Sequence, residues 1–156
     1  MNFDSEAFIR VAEVIYDFPS KSEHIFMREG ELRSCIGRSY YGAYLKVRLY
    51  LQFEQNISLE TIRNNGDKDK DEHTKVRQII REVAKRVGER DIGIALHDDL
   101  DALRVLRNRV DYEDPSIDLE TLERLAKDAL EYAYDILDDL NTLRLSSSQP
   151  PPPSKA

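Results

Sequence analysis

The chain has 156 residues, 40% hydrophobic and 34% charged, with a formal net charge of −7 at pH 7 and an isoelectric point near 5.0. That length supports one domain around one core, and the acidic balance excludes a protein that coats nucleic acid through a general positive field, so any RNA or DNA contact must be local. A single cysteine, Cys35, excludes an internal disulfide and reads as a small core residue of a protein kept in the reducing cytoplasm, while no apolar stretch approaches the roughly 20 residues that cross a bilayer, so no membrane contact is expected.

In chain order, Phe8, Val11, Ala12 and Ile15 at helical spacing predict a short helix over about 4–17, closed by Pro19. Ser20 and Glu23 form a capping box that opens the longest helix, expected to reach about Phe53 with a kink near Gly30. On it, Ile36, Tyr40, Ala43, Val47 and Leu51 form one apolar side, and Tyr41, Leu45 and Arg48 a second stripe. This helix is therefore contacted from two directions, one of which could be another subunit. Gly42 costs about 1 kcal/mol relative to Ala inside a helix, which a close helix approach would offset.

The segment 64–72 has no apolar residue and alternates in charge, so 64–73 reads as a mobile loop. A helix over about 74–87 follows, with Val76, Ile79, Ile80, Val83 and Val87 on one side and a basic face of Arg77, Arg81, Lys85 and Arg86. The next runs from about Arg90 to Tyr112 on Leu96, Leu100, Leu103, Leu106 and Val110, ending before Pro115. A last helix from Asp118 to about Leu143 carries Leu122, Leu125, Ala126, Ala129, Ala133, Ile136, Leu137 and Leu140. The sum is an all-α, up-and-down bundle of about five helices forming one domain over 1–144. The Ser/Pro-rich residues 145–156 read as a disordered tail, whose proline run also suits a proline-reading partner.

Phosphate loops, Cys-x-x-Cys pairs, His-Glu-x-x-His and Gly-x-Ser-x-Gly are absent, and His24, His73 and His97 fall on different segments, so neither a metal nor another cofactor is expected. The pairs Asp98-Asp99, Asp138-Asp139 and Asp69-Asp71 are consecutive or two apart, point different ways, and read as solvated surface.

The informative stretch is Leu103-Arg104-Val105-Leu106-Arg107-Asn108-Arg109-Val110-Asp111-Tyr112. At about 100° per residue, Leu96, Leu100, Leu103 and Val110 cluster within roughly 80°, and Arg107 falls inside that sector. Arg104 and Asp111 lie on its flank, Asn108 slightly further round, and Arg109 on the other side. A guanidinium at a core boundary needs a partner. Asp111, one turn on, supplies an ordinary helical ion pair; against that bland reading, Arg104, Arg107 and Asn108 together present the planar donors that suit a phosphate or carboxylate. His97 lies on the flank of Arg104, either as a packing residue or as a titrating group near the arginines.

Arg38-Ser39-Tyr40-Tyr41-Gly42-Ala43-Tyr44 on an early helix, together with Leu106-Arg107-Asn108-Arg109-Val110-Asp111-Tyr112 ending a later one, resembles the HEPN superfamily, the higher eukaryotes and prokaryotes nucleotide-binding domains. The resemblance covers about residues 4–143, with its specific signal in these two stretches. It implies a small helical bundle that forms a homodimer. It also implies RNA-directed activity in a toxin–antitoxin or antiviral defence system, with an antitoxin or nucleotidyltransferase as partner. Family members that cleave RNA use an Arg followed by a polar residue and a His five residues after the Arg. Arg107 and Asn108 match the first two, but Tyr112 stands at the histidine position, preceded by Asp111. A tyrosine with an ordinary pKa near 10 is a poor substitute base.

Two readings follow from the resemblance. One is a metal-independent endoribonuclease using Arg107, Asn108, Asp111 and Tyr112, with Arg104, Arg109, Arg38, Tyr41 and His97 binding RNA or phosphate. The other is a catalytically inactive binding or regulatory module that acts through dimerisation.

Overall fold

Apolar residues at three- and four-residue spacing organise into six α-helices in a computed structural model of the chain, which describes residues 4–20, 25–66, 69–113 and 115–148. Helix α1 spans Glu6–Asp17, α2 Ile25–Leu49, α3 Leu59–Asn64, α4 Glu72–Arg86, α5 Arg90–Asn108 and α6 Leu119–Ser147. A π-helical turn over Tyr50–Glu54 continues α2, and another over Arg109–Glu113 continues α5. Among the described residues every regular element is helical, as the sequence pattern requires, and no helix is long and apolar enough to cross a membrane.

Several boundaries differ from the expectation. Helix α3 is an addition: its six residues carry too little periodicity to stand out, but Ser58 caps it by accepting the Thr61 N–H at 3.1 Å. With α3 ending at Asn64 and Asp71 capping α4 through the Thr74 N–H at 2.8 Å, the stretch read as a loop over 64–73 is shortened from both sides. Helix α2 continues as a single element through Gly30. Glu23 of the capping box lies outside the described residues, as do 149–156 of the tail, whereas 145–147 are the last turn of α6.

Helix α2 is the centre of the bundle and packs on α1, α6, α5 and α4. Its Leu32, Cys35, Ile36, Ala43, Val47 and neighbouring Leu51 are fully buried, and burial pushes the Cys35 thiol up to about 11. Gly42 makes the close approach that its helix-interior position implies. A Cβ there would sit 2.7 Å from Ile9 Cγ1 of α1 and 3.0 Å from the carbonyl oxygen of Ser5, the residue before α1. Gly93 does the same for the α4–α5 pair, where a Cβ would meet Ala84 Cβ at 2.6 Å.

Cations close the helix ends. Arg28 donates to the carbonyls of Ile15 and Tyr16 at the end of α1, each at 3.0 Å, and buried Lys75 donates to the Arg63 carbonyl at the end of α3. The basic face expected on α4 is only partly solvated. Arg81, Lys85 and Arg86 are exposed, but Arg77 is 11% exposed and paired with Asp101 of α5.

The acidic pairs read as solvated surface also behave differently. Asp99 of α5 is half-buried and close to Asp135 and Asp139 of α6; burial first, and then those carboxylates, push it up to about 6. Local sequence cannot show a repulsion between helices.

Gly42→Ala should destabilise the protein by about 1–2 kcal/mol, overpacking outweighing the gain in helix propensity. Gly30→Ala, with nothing within 4 Å of its Cβ, should stabilise by about 0.5–1 kcal/mol in urea denaturation; equal effects would contradict the assigned approach of α1. For Asp99, a folded pKa raised to about 6 means that its contribution is fully present below about pH 4 and is lost as pH rises through 6. Asp99→Asn should therefore raise Tm by about 2–4 °C at pH 7.5, on the order of 1 kcal/mol after solvent screening, and leave Tm unchanged at pH 4.

Candidate functional site

The end of α5 carries Arg107 with its side chain 18% exposed, as its place inside the apolar sector demands. The π-helical turn that begins at Arg109 changes which residues can reach it. In a continuing α-helix the fifth residue on would sit about 140° away. The wider i→i+5 turn brings it back to the same side. Arg107 Nε thus donates to Asp111 Oδ2 at 3.0 Å, while Nη2 donates to the Tyr112 hydroxyl at 2.9 Å.

Three aromatic rings surround the same guanidinium. Its carbon lies 5.1 Å from the centroid of Tyr112, 5.2 Å from Tyr41 and 5.9 Å from Tyr40. All three distances fall within the range of cation–π attraction. Burial works against the charge on Arg107, but Tyr41, Tyr112 and the Asp111 carboxylate outweigh it and hold the group protonated more firmly than an ordinary arginine.

Tyr40 links this arginine to a second cluster, at the start of α4. The His73 ring stacks on Tyr40 at 5.6 Å and meets Tyr44 at 4.1 Å, and its Nδ1 is hydrogen-bonded to the Tyr40 hydroxyl. Arg104, one turn before Arg107, pairs with Asp71 and donates to Thr74 Oγ1 at 3.3 Å. Glu72 Oε1 accepts from the Tyr44 hydroxyl at 2.8 Å and Arg48 Nη1 at 3.1 Å, and Oε2 accepts from Arg63 Nε at 2.9 Å. Burial raises the Tyr40 and Tyr44 phenols well above the ordinary tyrosine range, so both stay protonated. Burial lowers His73, assisted by Arg104 and Arg107 and opposed by Asp71 and Glu72, so the imidazole is neutral at pH 7.

The sequence-predicted residues are only partly brought together. Arg107, Asp111, Tyr112 and Tyr41 are in mutual contact around the guanidinium, and Arg104 adjoins through Asp71 and the start of α4. Asn108 is half-buried and Arg109 exposed; neither makes a side-chain hydrogen bond or ion pair among the described residues. Arg38 is half-buried with its Nε unpartnered, and among the described residues no hydrogen bond or ring contact joins it to Arg107. His97 bonds Asp98 Oδ1 at 2.8 Å and is not joined to either arginine.

Sequence reasoning missed His73, Asp71 and Glu72, because a charged stretch without apolar residues hid a helix start; the Asp71-x-x-Thr74 cap was the available signal. It also missed Arg33, which donates to the Val110 carbonyl and so holds the π-helical turn against α2. Beside that turn, Glu29, Arg33, Val110, Asp111, Tyr112 and Pro115 line an open depression of about 400 Å³. Among the described residues no group of His, Cys, Asp and Glu is placed to hold a metal ion.

No family model, curated protein or solved structure matches the chain. What the site can do is therefore argued from its own chemistry: fixed cations, stacked phenols and a neutral imidazole, suited to holding an anion and moving a proton.

The carboxylate that ties α4 to α2 has a measurable signature. Arg63, Tyr44 and Arg48 outweigh burial and hold Glu72 below the usual carboxylate range, so its contribution is present above about pH 4.3 and is lost as pH falls through the lower folded value. Glu72→Gln should cost about 1–2 kcal/mol at pH 7 in urea denaturation. The difference should shrink at pH 3.5; a pH-independent difference would contradict the ion-pair account.

Proposed function

We propose that this chain is a HEPN-like, RNA-directed protein of a toxin–antitoxin or defence system, acting in the cytoplasm as a homodimer and cleaving RNA without a metal. The observation that carries the reading is Arg107, a guanidinium held at the surface of the bundle among Tyr40, Tyr41 and Tyr112. An arginine on aromatic rings presents its remaining donors to a phosphate, and exposed rings beside it offer stacking faces to unpaired bases. Tyr112, on the π-helical turn after α5, is 71% exposed and Tyr41, on α2, 38% exposed. These two rings, both against Arg107, offer an apolar face that a second subunit would cover. An antitoxin or nucleotidyltransferase is the partner expected of such a system.

One observation favours a second reading. Arg107 and Arg104 each already hold a carboxylate, Asp111 and Asp71. A protein in which these pairs stay closed would be a binding or regulatory module that keeps the bundle and the dimer without the chemistry.

Over-expression of the wild type should arrest growth, and Arg107→Ala should restore it while helicity and the sedimentation of a dimer at micromolar concentration are unchanged. In chelator, the purified variant should cleave total RNA about 10²–10³-fold more slowly than the wild type. A harmless wild type, or an equally toxic variant, would refute the toxin reading. Arrest without RNA cleavage would favour the binding module.

A further inference from the structure

The histidine missing at position 112 has a counterpart in space. The first turn of α4 lays His73 against Tyr40, and Arg107 lies 5.9 Å from the centroid of that same ring, so imidazole and guanidinium both flank Tyr40. Nδ1 is taken by the Tyr40 hydroxyl, and no hydrogen bond reaches Nε2 among the described residues. The groups facing the imidazole are Tyr40 and Tyr44 from α2, Arg104 and Arg107 from α5, and Asp71 and Glu72 from the start of its own helix. A half-buried, neutral imidazole held in place by two phenol rings carries a ring-nitrogen lone pair that can accept a proton.

We propose that His73 is the proton-transfer residue of the Arg107 site, with Nε2 against the ribose 2′-hydroxyl of a single-stranded RNA whose phosphodiester is held by Arg107 and Arg104. This rests on the RNA reading above and adds the group that the α5 motif lacks. Single strands are the substrate because the exposed rings of Tyr41 and Tyr112 stack unpaired bases. In the reactive tautomer, His73 Nδ1–H donates to the Tyr40 oxygen and leaves the lone pair on Nε2. Nε2 takes the 2′-hydroxyl proton as the 2′-oxygen bonds to phosphorus and the bond from phosphorus to the 5′-oxygen breaks. The departing 5′-oxygen takes a proton from water, and the hydroxide so formed recovers the proton from the imidazolium. The products are a 2′,3′-cyclic phosphate and a 5′-hydroxyl. Arg107 stabilises the negative charge on the phosphoryl oxygens in the transition state. Tyr40 is a positioning residue that orients the ring.

Cleavage of a single-stranded RNA by wild type, Arg107→Ala, His73→Gln and Tyr40→Phe, in chelator and across pH 5–9, separates the roles. His73→Gln should lower the rate about 10²–10⁴-fold with unchanged helicity and abolish the acid limb of the pH–rate profile. Tyr40→Phe should keep that limb but move it to lower pH, because the imidazolium loses its acceptor. If Arg107→Ala is inactive while His73→Gln cleaves with the wild-type rate and profile, the assignment of His73 fails and the RNA reading stands. If the wild type leaves RNA intact, the RNA reading fails. His73 is then judged by NMR of its imidazole nitrogens during titration with 3′-uridine monophosphate. A shifted Nε2 resonance and a raised pKa that vanish in Arg107→Ala support the site, and an unresponsive imidazole overturns it.

Discussion

Helix α2 sets the terms for everything else. Its apolar residues are spread around its circumference rather than gathered on one stripe, so no single neighbour can bury them, and it packs on α1, α4, α5 and α6 at once. Gly42 lets α1 approach to the backbone on one side. Tyr40 and Tyr44, on another side, are buried with their hydroxyls satisfied by His73 and Glu72 of α4, while the ring face of the more exposed Tyr41 meets Arg107 of α5. The candidate site is thus the place where the most aromatic part of the central helix meets the two charged helix ends.

That origin explains the chemistry gathered there. Tyrosine rings attract guanidinium groups, so Arg107 settles on them. The start of α4 brings acceptors, Asp71 and Glu72, that balance Arg104, Arg48 and Arg63. A chain with net charge −7 thereby keeps a local cluster of cations, each in a fixed orientation. In the proposed function these paired cations open toward a phosphate. The ion pairs that hold the fold and the groups that would bind RNA are then the same residues.

Legibility from sequence followed the range of the interactions. Helices α1, α4, α5 and α6 were readable because their apolar residues recur every three or four positions, and the pairing of Arg107 with Asp111 was readable because it spans one turn. Gly42 signalled its close contact by being an otherwise costly choice. Contacts distant in sequence were hidden: Tyr40 with His73, Arg104 with Asp71, Asp99 with Asp139. So was the π-helical turn, since a change in hydrogen-bond register leaves no mark on hydrophobic periodicity, and it is this turn that places Tyr112 on Arg107. The choice of His97 over His73 followed from the same limit: proximity along one helix was visible, proximity between helices was not.

In the proposed function Arg107 is the phosphate-holding group of an RNA site. The most direct test is the affinity of wild type and Arg107→Gln for a single-stranded 2′-O-methyl RNA, which lacks the attacking hydroxyl, measured by fluorescence anisotropy over a series of salt concentrations. The account predicts weaker binding by the variant at every salt concentration and a log–log salt slope shallower by about 0.7, the loss of one phosphate contact to a single strand. Superimposable curves for the two proteins would contradict it.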